Sequence, residues 1–74
     1  MNLKNFIAGV EILRPYYEDM DGHHLSAGHD QIYLYATQDP LTETDAKRMF
    51  ELGWFQDECA REVYDPSEGW SCHV

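Results

Sequence analysis

The chain has 74 residues, 43% of them apolar and 14% aromatic, and carries a formal charge of −9 from fourteen carboxylates against five basic residues. A single domain of this size buries only about 60–65% of its unfolded surface, which leaves little room for both a core and a deep substrate cavity. So acidic a surface repels nucleic acid and anionic membranes, which sets aside direct DNA or RNA binding and favours basic protein surfaces or cations as partners.

From the N-terminus, Leu3, Phe6, Ile7, Val10, Leu13 and Tyr17 recur at helical spacing, with Lys4, Asn5 and Glu11 on the other side. That pattern predicts an amphipathic helix. Asn2 suits its cap, Gly9 weakens it, and Pro15 ends or kinks it near Leu13. The alternation of Phe6, Ala8, Val10 and Ile12 is the competing strand reading. The opening segment lacks the long apolar run and small-residue cleavage site of a signal peptide. No stretch approaches the roughly eighteen apolar residues of a membrane span.

Residues 18–28 are acidic, contain glycine and show no period, so they predict a loop. Leu25 and Ala27 at its end would extend the following strand backwards on the face of Tyr33 and Tyr35. In that strand Ile32, Leu34 and Ala36 alternate with the two tyrosines. A turn at Asp39-Pro40 leads to a second helix from Thr42. Thr42-Glu43-Thr44-Asp45 resembles a capping box with Asp in place of Glu. Acids in its first turn and Lys47-Arg48 nearer its end suit the helix dipole. Ala46, Met49, Phe50 and Gly53 form its inward stripe, and Gly53 is a natural left-handed terminator. Beyond it the pattern predicts a short strand over Trp54–Gln56 and an acidic loop from Asp57 to Gly69 with a turn at Asp65-Pro66. A last strand, Trp70–Val74, would place Trp70, Cys72 and Val74 on one face. The expected fold is one α+β domain over 1–74: an N-terminal helix, a strand, a capped helix and one or two short C-terminal strands forming a small antiparallel sheet.

The run His29-Asp30-Gln31-Ile32-Tyr33, a helix closing on Leu52-Gly53-Trp54, and the Trp70-Ser71 pair resemble small acidic proteins encoded by phages and prophages. The resemblance covers most of the chain and brings no catalytic residues. It implies a bacterial or phage source and an accessory role, a class that includes anti-CRISPR and anti-restriction inhibitors.

Little in the residues points to catalysis or metal. His23, His24 and His29 lie among Asp19, Asp21 and Asp30, with Cys59, Cys72 and His73 further on. The two cysteines are thirteen positions apart, with no Cys-x-x-Cys pair and no helical His pair. The plainer reading is a polar loop whose His29 or Asp30 caps the strand entrance, with no metal and no cofactor. His29-Asp30 as a phosphohydrolase ligand pair would need further His and Asp ligands in a far longer chain. Cys59 sits among Asp57, Glu58 and Glu62, and acidic neighbours disfavour a reactive thiolate. Both thiols read as free, in a reducing cytoplasm. No nucleophile elbow, phosphate loop or dinucleotide fingerprint is present.

Binding is the stronger expectation. Tyr33 and Tyr35, joined by Trp54 or Phe55 and by Tyr64 or Trp70, would form an aromatic face able to anchor a partner. The alternative is that the C-terminal loop folds over that face as a second core layer. Glu18, Asp19, Asp21, Asp57, Glu58 and Glu62 would present charge to a basic cleft as nucleic acid does; a solvated acidic shell that keeps the chain soluble is the alternative. The expectation is therefore a non-enzymatic protein of the bacterial host cytoplasm that binds a basic surface of a host protein complex. A self-associating structural or regulatory protein, dimerising through the aromatic sheet face, is the second reading, and a small zinc-binding protein the third.

Overall fold

Asn2 opens the first helix. Its side chain accepts from the amide of Asn5 at 2.8 Å, satisfying one of the donors that a helix N-terminus leaves free. The helix α1 (Leu3–Leu13) then runs to the residue before Arg14-Pro15, where a single 3-10 turn, Arg14–Tyr16, replaces it. The computed structural model describes residues 1–19, 21–56 and 63–74. After α1 come β1 (Leu25–Gly28), β2 (Gln31–Leu34), α2 (Glu43–Glu51) and β3 (Trp70–His73). The strands form one antiparallel sheet in the order β1-β2-β3. The domain is thus a small mixed α+β fold: an N-terminal helix, a three-stranded sheet and a second helix.

The buried face of α1 differs from the expected stripe. Leu13 and Gly9 are buried and Phe6, Val10 and Ile12 pack against the core, but Leu3 is 71% and Ile7 50% exposed. Tyr17 lies past the 3-10 turn in extended backbone, so it does not continue the helix. The reason is Gly9. A Cβ there would fall on the indole of Trp54, whose Nε1 donates to the carbonyl of Asn5 at 3.2 Å. Docking Trp54 against the glycine turns α1 so that Leu3 and Ile7 face outward.

Segment 25–28 is a strand in its own right. It pairs with β2 through Leu25↔Leu34, Ser26↔Tyr33, Ala27↔Ile32 and Gly28↔Gln31. His29-Asp30 is therefore a hairpin turn, and Asp30 holds the entrance of β2 through its backbone carbonyl, which accepts from the amide of Val74; His29 takes φ 55°, a left-handed conformation in which histidine is enriched among non-glycine residues. The fold-back also puts Leu25 and Ala27 on the face of Ile32 and Leu34, opposite the tyrosines, because directly paired residues share a face. β2 ends at Leu34, so Ala36 lies beyond it and is exposed.

Helix α2 has the expected ends. Thr42 Oγ1 accepts from the amide of Asp45 at 3.1 Å. At the C-terminus the amides of Gly53 (φ 98°) and Trp54 bond to the carbonyls of Phe50 and Met49, which is the Schellman pattern. The second half of the capping box is different. Asp45 accepts from the hydroxyl of Tyr16, and that hydroxyl accepts from the amide of Thr42 at 3.2 Å, so Tyr16 bridges the two groups that a glutamate would have joined.

The expected strand over Trp54–Gln56 reduces to a single bridge, Phe55↔Ser71. β3 ends at His73, one residue short of the expected strand; Trp70 and Cys72 are buried as expected, but Val74 beyond it is 66% exposed, and its amide donates to the carbonyl of Asp30 at 2.7 Å. Among the described residues the core comprises Leu13, Leu41, Ala46, Met49, Trp54, Trp70 and Cys72. Aromatic pairs brace it: Phe6 stacks on Trp54, and Trp70 meets Phe50 edge-on and Tyr64 face-on. Buried Gln56 holds the C-terminal turn. Its amide donates to the carbonyls of Asp65 (2.8 Å) and Glu68 (3.3 Å) and accepts from the amide of Asp65 at 2.7 Å.

Candidate functional site

Register decides which side chains meet on the sheet. Tyr33 lies opposite Ser26 on one side and Ser71 on the other, with Gln31 opposite His73. These residues share the face turned away from Ile32, Leu34, Trp70 and Cys72. Tyr33 and Tyr35 come together on it with ring centroids 5.4 Å apart in an edge-to-face pair. Tyr35 is 44% exposed; Tyr33 is half-buried, its hydroxyl lying over Gly69. Phe55 and His73 stack at 4.8 Å, and the Phe55↔Ser71 bridge puts them on the same side. Of the other aromatic residues expected here, Trp54 and Trp70 are core, and Tyr64 stacks on Trp70. The core needed those rings, and the tyrosine face keeps only Phe55 of them.

The acidic loop is tied to this face at its Tyr35 end. Tyr17 Oη donates to the carbonyl of Tyr35 at 2.7 Å. The amide of Glu18 bonds to Oε1 of Gln38 at 3.2 Å. Asp19 Oδ1 then accepts from the amide of Asp21 at 2.9 Å, and the ring of His24 donates to the carbonyl of Asp19 while stacking on Tyr17. Glu18, Asp19 and Asp21 are all exposed. Burial first, and the nearby Tyr33 second, push the Tyr17 hydroxyl up to about 12. It therefore stays protonated and serves as a fixed donor, not as a proton-transfer group.

Three of the expected partner residues stand together, then: Glu18, Asp19 and Asp21, adjoining the tyrosine pair. Asp57, Glu58 and Glu62 lie outside the described residues, as does Cys59. The histidines do not converge. His23 is on the loop, His24 is committed to Tyr17 and Asp19, His29 is at the hairpin turn, and His73 stacks on Phe55. Cys72 is fully buried and points to the core side, opposite to its neighbour His73; burial raises its thiol above the usual range. Among the described residues no three His, Cys, Asp or Glu side chains gather as metal ligands, and no helix is long and apolar enough to cross a membrane.

On the other side of the hairpin a groove of about 660 Å³ separates α1 from the strands. Phe6, Val10 and Leu13 line its helix wall, Leu25 and Leu34 its strand wall, and Tyr17 and His24 close one end. Nothing in the sequence reading anticipated it, because it exists only once β1 folds back beside β2 and Gly9 rotates the helix. Compared with family models, curated proteins and solved structures, the chain matches none.

Proposed function

We propose that the protein is a non-enzymatic binding protein that docks on a basic surface of another protein. Tyr35 and Tyr33 are its anchors, and Glu18, Asp19 and Asp21 are its steering charges. The observation that carries this reading is the pinning of the acidic loop to the strand end that presents Tyr35, through Tyr17 to Tyr35 and Glu18 to Gln38. Tyrosine buries contact area at low entropic cost. Carboxylates beside it favour a cationic partner and speed encounter. On the family resemblance, the partner is a nucleic-acid-handling complex of a bacterial host, approached in the cytoplasm by a phage or prophage accessory protein of the anti-defence kind. The charge the protein presents stands in for nucleic acid.

Affinity capture from bacterial lysate with the full chain tests this, run beside a variant carrying Glu18→Gln, Asp19→Asn and Asp21→Asn. The expected result is a discrete partner with a basic surface, lost from the neutralised variant and progressively lost as salt rises through the range where the Debye length falls from about 10 Å to about 3 Å. Capture indifferent both to salt and to the three substitutions would overturn it.

A further inference from the structure

We infer that the outer edge of β1, with the groove between β1 and α1, receives an extended segment of the basic partner as a fourth strand. The inference rests on the docking function proposed above and specifies the form in which the partner arrives.

Among the described residues β1 is the end strand of the sheet, and all four of its residues are exposed. The bond from the amide of Tyr35 to the carbonyl of His24 at 2.8 Å fixes which pairs of the hairpin exchange backbone bonds: His24 with Tyr35, Ser26 with Tyr33, and Gly28 with Gln31. In an antiparallel ladder these alternate with pairs that do not. Leu25 and Ala27 consequently turn their N–H and C=O groups outward. Such an edge is a template for another chain; at four residues it is short, but Leu25-Ser26-Ala27-Gly28 carries no charge, proline or bulge to blunt it.

The groove supplies the side-chain half of the recognition. Leu25 (60% exposed) lies on its strand wall with Leu34, and Phe6, Val10 and Leu13 face them from α1. Side chains on alternate residues of an added strand would enter there, as in other complexes that form by strand addition. Charge selects the occupant. Glu18 follows Tyr17, Asp19 is hydrogen-bonded to His24 and Asp21 to Asp19, Asp30 lies in the turn beyond Gly28, and among the described lining residues Arg14 is the one Lys or Arg, beside His23 and His24. A segment alternating apolar with basic residues matches that surround. A second copy of a chain with net charge −9 does not.

The test is a titration of the ¹⁵N-labelled full chain with a synthetic octapeptide of alternating valine and lysine, against a control with the same residues in two blocks. The alternating peptide is expected to shift the amides of Leu25 and Ala27 and slow their exchange, and to bind about tenfold or more tightly than the block peptide. Ala27→Pro removes an outward amide without touching the β1–β2 ladder, and should weaken binding by about tenfold. Should the proline disturb the strand, Leu25→Gln changes an exposed residue of the groove wall and is expected to weaken the alternating peptide selectively.

Equal binding of the two peptides overturns strand addition, and so does a failure of the alternating peptide to bind. Shifts confined to Tyr33, Tyr35 and residues 18–21 overturn it while leaving the docking face standing. Amide shifts at Leu25 and Ala27 that follow protein concentration without peptide overturn it in favour of a second copy. The docking face itself stands or falls on the capture experiment with the three neutralised carboxylates.

Discussion

The two faces of α1 put the same residue types to opposite uses. Toward α2, Gly9 admits the indole of Trp54, Trp54 bonds back to Asn5, and Asn5 donates from its side chain to the carbonyl of Leu52 at 3.2 Å. Each contact there fixes the next. Away from α2, Leu3 and Ile7 stand exposed on the helix, Leu25 stands exposed on the wall of a groove, and its strand is the end strand of the sheet among the described residues. A chain this small has few apolar residues to spare, so three left in solvent on one side mark the region that folding does not need. Stability belongs to the first side, and the proposed recognition to the second.

Gly9→Ala should break the locked side most severely. Helix propensity alone favours Ala by about 1 kcal/mol, yet the new methyl meets a buried ring, and overpacking costs about 1–3 kcal/mol. Urea denaturation is expected to show net destabilisation; a gain in stability would mean the indole is not held against the helix. Next comes Gln56→Leu, which removes the partners of backbone groups at Asp65 and Glu68 and should cost about 1–3 kcal/mol by the same measurement.

Tyr17→Phe sits between the two sides and has a pH signature. The hydrogen bond to Tyr35 is worth about 1 kcal/mol. The folded hydroxyl titrates near 12 against an ordinary 10.0. Its contribution is therefore complete below the lower value, and it is lost as the unfolded chain ionises first and pH climbs to the upper one. Alkaline melts of the wild type should fall more steeply across that window than those of Tyr17→Phe. On the open side, Leu3→Gln and Ile7→Gln should each change stability by no more than about 0.5 kcal/mol, and a larger loss in thermal melts would place them in the core after all.

The helices were largely legible because their ends are written locally: Asn2 and Thr42 as caps, Pro15 as a stop, Gly53 as a terminator. The alternation around Tyr33 likewise gave the tyrosine face. The hairpin leaves no such local mark, because its turn is His29-Asp30, without the Asn-Gly or Asp-Gly signal that usually announces a two-residue connection. Periodicity marked Leu3 and Ile7 as apolar neighbours of Val10 but does not say which side of a wide stripe is buried; Trp54, 45 positions after Gly9, decides that. For the same reason the sequence did not reveal that Tyr16 completes the cap of α2, or that Tyr17 holds the acidic loop beside Tyr35. Both are tyrosine hydroxyls reaching across 26 and 18 positions, and no local pattern records such a bond.

The most direct test of this division is Tyr35→Ala, measured for melting temperature and for partner capture in the same preparation. The ring of Tyr35 is 44% exposed and its backbone carbonyl, which holds Tyr17, survives the substitution. Unchanged melting with capture reduced by about tenfold or more, as for a central aromatic anchor, is the expected result. Capture at the wild-type level, or a loss of capture that merely follows a fall in melting temperature, would contradict it.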